Sequence, residues 1–412
     1  MKCLPMSKVS QAQGNVLHDW HAEVLAIRTF NRFVLDECKA LAQGHSSEFL
    51  RWRTTDEIAS SCCDDPQVGE LEGQGSEWCG QPFAWREDIL LHMYCSEAPC
   101  GDASMELIMA AQEDATPWEL PSVNLAGPLS TTDPSTSLPG RAYFSQLGVV
   151  RRKPARSDAP PTLSKSCSDK LALRQCVSLL SSTTALLVDP RHVYIHTLVM
   201  PESRYSESAC RRSFSSSPID GRMRSMGSAG KREKLKGEGE SPYTFRPFAI
   251  KTTTYEFAFS QRTVTQAATR SFNQDVTTNE QKKPTGQKVS ASNISAAWTR
   301  SGLEETTLGG ILQGRKQSSV DARGASFASR RRIWGLAVEV TDLLLLRAGQ
   351  GKEVEPVNTS AIADIRKALT AETYGEMKGC ALLEPRRRAK DKARAEALKG
   401  WVRNLGDETF NL

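Results

Sequence analysis

No run of apolar residues in this 412-residue chain approaches the roughly 18 needed to cross a bilayer as a helix. Met1 to Ser10 also lack the apolar core of a secretory signal. Both absences argue against a secreted or membrane-spanning protein and lead us to expect a chain of the nucleus or cytoplasm. A disulfide framework is missing as well, because 11 cysteines are too dilute and too irregularly spaced for one. In a reducing compartment the question becomes which few of them bind metal. Charge of one sign is also scarce: 53 Lys and Arg against 48 Asp and Glu leave a net +5. That is too mild for a chain devoted to coating a polyanion, yet compatible with a local basic face. No internal repeat breaks the chain into units, and its length is compatible with one large α/β domain.

Helical periodicity is clearest from His21 to Ala42, where Val24, Ile27, Phe30 and Val34 recur at spacings of three and four. Asp19 is its expected cap. Compact apolar runs predict strands at Asp88–Tyr94, Thr184–Val188, Val193–Met200 and Thr254–Phe259. Alternation of such elements predicts a layered α/β domain. Polar stretches at 54–81, 121–140, 202–241 and 260–292 read as loops or disordered insertions decorating one domain over residues 1–412.

The chemistry is concentrated in three short segments. His21-Ala22-Glu23 opens the periodic helix, Pro99-Cys100-Gly101-Asp102-Ala103 ends an apolar strand, and Ser166-Cys167-Ser168-Asp169-Lys170 precedes a helix through Leu171–Leu180, capped by Ser168 or Asp169. A zinc deaminase needs His and Cys ligands, an open position for water, and a glutamate that moves protons without ligating. His21, Cys100 and Cys167 fit the ligands, and Glu23 fits the proton carrier. Cys100 lacks the usual second Cys three positions on, where Ala103 stands, so Cys167 supplies the third ligand. Helix beginnings suit this role, since the positive end of the macrodipole favours thiolate over thiol. Taken singly, each residue is as well explained as a buried thiol or a core histidine. Only the three segments together point to a site. Cys62, Cys63, Cys79 and Cys95 lack a partner glutamate and are set aside.

These segments resemble the adenosine deaminases that act on RNA, a family containing both double-stranded RNA editing enzymes and eukaryotic tRNA-specific deaminases. Trp20 before H-A-E, Ser104 after C-G-D-A, Arg151-Arg152-Lys153-Pro154 and Asp158-Ala159-Pro160-Pro161-Thr162 are similar to the tRNA branch. The resemblance implies a cytidine-deaminase-like layered sheet with helices, extended by family-specific C-terminal elements and polar insertions. It implies hydrolytic conversion of adenosine to inosine in tRNA, at position 37 beside the anticodon of alanine tRNA, by a monomer holding Zn2+. It also implies a buried inositol hexakisphosphate held by Arg28, Lys170, Ser182, Lys316, Tyr374, Lys378, Trp401, Arg403 and Asp407. Ile27, Leu173 and Asn404 stand where the editing branch is basic. The run Arg386, Arg387, Arg388, Lys390, Lys392 and Arg394 reads either as a solvated helix face or as a contact to polyanion or RNA.

The family usually carries a helix and a strand before the segment that here begins at Met1, so either the start is misassigned or the domain is N-terminally truncated, and a truncated domain is expected to be impaired in activity. Two other functions stay open on these residues: a deaminase of double-stranded RNA, and a catalytically inactive RNA-binding protein with a structural zinc. A phosphate loop at Gly309–Gln317 is excluded, because Arg315 and Lys316 occupy its Lys and Ser/Thr positions.

Overall fold

The three-and-four spacing after His21 becomes a helix over Ala22–Ala42, whose buried face carries Leu25, Ile27, Val34, Leu35, Cys38 and Leu41. In this computed structural model, residues 2–61, 78–112, 114, 116, 138–139, 143–153, 160–227, 241–275, 289, 291–316, 320–349 and 358–412 are described. The helix's N-cap is His21, not Asp19; Asp19 sits one step outside and accepts the His21 backbone N–H on Oδ1 at 3.1 Å. A buried Asn31 ties the helix to the following loop system, donating to Leu179 O at 2.9 Å. Helix Arg330–Gly349 packs against it and against helix Thr359–Leu369.

Helices and small sheets are mixed, as an α/β domain requires. Phe83–Trp85 pairs antiparallel with Leu50–Trp52 and parallel with Val188–Asp189. Ile195–Pro201 lies between Leu91–Tyr94 and Ala249–Thr253, all parallel. Ile294–Trp298, Glu304–Leu308 and Ile311–Leu312 form an antiparallel meander. The main core gathers Phe83, Trp85, Leu180, Leu198, Val340 and Trp334. A smaller one joins Leu4, Val9, Leu17, Trp20 and Leu25 to Ala297 and Ile311 on the meander.

Several expectations change. Thr184–Val188 is mostly a 3-10 turn, Thr184–Leu186, with only Val188 entering a strand. The strand expected at Thr254–Phe259 is displaced to Ala249–Thr253, whose backbone reaches the edge of Ile195–Pro201; Tyr255 and Phe259 beyond it stay exposed. Helix Cys167–Val177 is capped by Ser166, whose hydroxyl accepts from Asp169 N, rather than by Ser168 or Asp169. The polar stretches also hold order: helices occupy Thr55–Ser61, Glu207–Phe214, Arg224–Gly227 and Gln261–Asp275. Most of the stretch 121–140, together with Cys62, Cys63, Pro154, Asp158 and Ala159, lies outside the described residues. Cys79 is disulfide-bonded, and Cys95 is a buried free thiol. No described helix is long and apolar enough to cross a membrane.

Candidate metal centre and the cationic cavity beside it

Three helix beginnings converge on one point. His21 caps the first long helix, Cys167 is the first residue of its own helix, and Cys100 precedes the 3-10 turn Asp102–Ser104. Their ligand atoms lie within 4.8 Å of one another. His21 Nδ1 is 3.9 Å from Cys100 Sγ and 3.8 Å from Cys167 Sγ, and Cys167 N–H donates to Cys100 Sγ at 3.3 Å.

The two cysteine loops can approach so closely because Gly101 has φ +104; a Cβ there would meet Ser166 Oγ at 2.3 Å. Ser168 locks the approach, its Oγ lying 2.9 Å from Pro99 O and accepting from Ala103 N at 3.1 Å. Ala103, fully buried, offers no ligand atom at the position where a second Cys would stand. Ser104 closes the same turn, donating to Gly101 O at 3.0 Å.

Charge around the cluster is balanced by pairs within the protein. Lys153 donates to Cys167 Sγ at 3.2 Å and to Asp19 Oδ2 at 2.9 Å. Lys170 and Ser164 donate to that same Oδ2. Burial opposes the Lys153 charge, but Asp19 and the two sulfurs outweigh it and hold the ammonium well above its usual range. Burial would likewise raise Asp19, and Lys153 and Lys170 instead hold it well below. The hydrogen bond from Cys167, followed by the Lys153 charge, depresses the Cys100 thiol. Glu23, in the first helical turn, is pushed up by burial and then by the charge on Cys100. One imidazole and two sulfurs, each sulfur supported by a hydrogen-bond donor, form a donor set suited to zinc, with Cys100 only partly buried. Lys153, in sequence only a feature of the tRNA branch, is central to the cluster; its position in sequence carries no signal of that.

Next to this cluster opens a cavity of about 630 Å³. Of the residues expected around inositol hexakisphosphate, Arg28, Lys170 and Ser182 line it from the first two long helices and the loop after them. Tyr374, Lys378, Trp401 and Arg403 line it from the C-terminal region. Lys316 does not: it is exposed in the turn after Ile311–Leu312. Asp407 stands behind the wall, holding Arg330 at 3.1 Å and His18 at 2.8 Å. Lys170 and Lys378 carry partners of their own, Asp19 and Glu408.

Arg174, Arg330 and Lys165 carried no signal in the sequence, whereas Arg386, Lys390 and Arg394 belong to the basic run that was open to polyanion contact. Arg174 lies one turn after Lys170, and Arg386, Lys390 and Arg394 recur every fourth residue, so each set shares a helix face. Both sets line the cavity with Arg330 and Lys165. Arg388 and Lys392 of the same basic run face solvent. Burial, followed by Arg386 and Arg28, pulls Arg174 down to about 9. Burial, followed by Arg386 and Arg174, pulls Lys390 well below its usual value. Arg386 is 2% exposed, with Nε and Nη1 unpartnered.

Residues 1–404 match the sequence model of the adenosine-deaminase (editase) domain. The chain is 35% identical over 264 residues to tRNA-specific adenosine deaminase 1 of Schizosaccharomyces pombe, a match covering 63% of this chain and 56% of that protein. It is 31% identical over 203 residues to the Saccharomyces cerevisiae protein of the same name, covering 49% and 44%. With the Drosophila melanogaster double-stranded RNA-specific editase Adar, identity is 25% over 219 residues, covering 51% and 28%. The chain thus spans about half the length of the tRNA-specific relatives it matches. Its family, however, is shown by a match across nearly the whole chain: the protein belongs to the adenosine-deaminase (editase) domain family.

Proposed function

We propose that this domain deaminates adenosine to inosine in tRNA, at position 37 beside the anticodon of alanine tRNA, working as a monomer in the nucleus or cytoplasm. The observation that carries the reading is the convergence of His21, Cys100 and Cys167 beside the half-buried Glu23. Those three residues would hold zinc, which when bound supplies the Lewis acidity that makes water a nucleophile at neutral pH. Glu23 takes one proton from the water attacking C6 and passes it to N1 of the adenine, then carries the second, from the new C6 hydroxyl, to the departing ammonia. Its raised pKa suits a group that must both accept and release a proton. A base in an anticodon loop reaches such a recessed site with less unstacking than one in a duplex. The tRNA branch is supported by the higher identity to the two yeast tRNA-specific deaminases than to the fly editase.

The same reading makes residues 1–412 a single domain with cytidine-deaminase-like layering, and assigns inositol hexakisphosphate to the cavity. Arg28, Arg174, Arg386 and Lys390 are the residues whose unbalanced charge fits a polyphosphate. Incubating the purified full chain with an alanine tRNA anticodon stem-loop and with a long RNA duplex tests the function. Inosine is expected at position 37 of the stem-loop, absent with Glu23→Gln and Cys100→Ala. Equal rates on both substrates would overturn the tRNA assignment, and zinc retained in full by both Cys100→Ala and Cys167→Ala would overturn the metal centre.

A further inference from the structure

His21 directs Nδ1 toward both sulfurs of the cluster, at 3.9 and 3.8 Å. Nδ1 is then the atom that would face a metal ion, and the second ring nitrogen, Nε2, carries the proton. A ligating imidazole is held in orientation by whatever accepts that second N–H, usually a carboxylate, a carbonyl or water. The carboxylate beside this ring is already committed. Asp19 Oδ1 accepts the His21 backbone N–H at 3.1 Å, and Oδ2 accepts from Lys153 at 2.9 Å, from Ser164 at 2.7 Å and from Lys170.

Besides Asp19, the fold brings Cys3 to the ring. Its sulfur, an Asp19 carboxylate oxygen and a His21 ring nitrogen lie within 4.8 Å of one another, and Cys3 is 1% exposed. The placement is built by the backbone: Cys3 forms an antiparallel bridge with Asp19. Leu4 N–H to His18 O at 2.9 Å and Trp20 N–H to Lys2 O at 3.0 Å flank that bridge. We propose that Cys3 is a positioning residue of the metal centre, its sulfur accepting the Nε2–H of His21 and so fixing Nδ1 toward Cys100 and Cys167. The proposal rests on the zinc reading above. A carboxylate in this place would push negative charge through the imidazole onto a site that already holds two sulfurs. A thiol orients the ring without adding charge.

Cobalt substitution of the full chain separates a positioning thiol from a fourth ligand, because thiolate-to-cobalt absorbance rises with each sulfur bound. The wild type and Cys3→Ala should show equal charge-transfer intensity. Chelator competition should show zinc held ~10–100-fold more weakly by Cys3→Ala, with partial recovery in Cys3→Ser. Lower charge-transfer intensity in Cys3→Ala would make Cys3 a ligand and overturn the proposal, as would undiminished zinc affinity. Should Cys3→Ala fail to fold, a long-range proton–nitrogen spectrum of the zinc-loaded wild type reads the ring directly: a proton on Nε2 is expected, and one on Nδ1 overturns the proposal. Wild-type protein that takes up neither ion would overturn the metal centre itself, and this proposal with it.

Discussion

The metal cluster and the cavity beside it share a wall, yet they solve the problem of buried charge in opposite ways. Around His21, Cys100 and Cys167 every buried cation meets an acceptor, with Lys153 bridging Asp19 and Cys167 Sγ and Lys170 closing on Asp19. In the cavity burial and then Arg386 depress both Arg174 and Lys390, Arg174 adds to the effect on Lys390, and the nearest partners of Arg174 and Arg386 are backbone carbonyls such as Leu180 O. The first arrangement is electrically complete apart from the metal. The second fits the polyphosphate proposed for it, because cations held out of water without a counter-charge each cost several kcal/mol. One fold thus sets a site balanced by internal pairs against a cavity whose cations lack carboxylate partners of the kind Lys153 and Lys170 have.

Removing Lys153 attacks the complete side and should have the largest effect. Lys153→Met leaves Cys167 Sγ without its donor and Asp19 with one cation fewer in a site 3% exposed. Breaking one side of a buried ion pair costs about 3–5 kcal/mol. Urea unfolding of zinc-loaded protein should show a loss of that size. A loss below about 1 kcal/mol, the scale of exposed pairs, would mean that the cluster is no better balanced than the surface.

The cavity side is tested by withholding its ligand. Protein made in a host unable to synthesise inositol hexakisphosphate should be less stable by up to about 4 kcal/mol, the linkage expected at a thousandfold excess over Kd. It should also be poorly soluble. Mass spectrometry of denatured, active protein should release the polyphosphate; active protein that releases none would reassign Arg174 and Lys390 to an RNA-facing surface.

What could be read in advance follows the same divide. The first helix and the metal cluster were legible because each depends on local pattern: a three-and-four period from Val24, and three segments that each open a helix. Gly101 and Ser168 lie inside those segments, so local sequence also carries the loop contact. The cavity draws on separated stretches, and its wall is set by tertiary packing. The fourfold spacing of Arg386, Lys390 and Arg394 defines a stripe without saying which way the stripe faces. Thr254–Phe259 misled for a related reason: its alternation is that of a strand, but pairing falls to Ala249–Thr253.

A smaller effect comes from pH. Lys390 has a folded pKa well below 10.5, so in ligand-free protein the unfolded chain binds more protons between that value and 10.5. Stability should therefore rise with pH across that alkaline window, and its penalty should be fully present below the folded pKa. Bound polyphosphate would hold the ammonium protonated and flatten the slope. Thermal unfolding from pH 7 to 10, with and without ligand, measures both curves. Arg174, pulled down to about 9, and Lys165, pulled down to about 7 by burial, line the same cavity and add to the slope, so parallel curves would show that none of the three faces the anion.

The smallest effect separates this cavity from the ligand set implied by resemblance. Lys316 was expected there, but it is exposed in the turn after Ile311–Leu312, and Arg330 occupies the wall instead, anchored by Asp407 at 3.1 Å. Lys316→Ala removes a solvated charge, and such substitutions stay within about 0.5 kcal/mol. Lys390→Ala removes a cation that only the anion can balance, so with ligand bound it should cost clearly more, and with ligand absent it should cost nothing or stabilise. Measuring both variants in both states gives a cycle in which only Lys390 couples to the ligand. Coupling at Lys316 of the same size would mean that the turn carrying it folds over the cavity when the ligand is present.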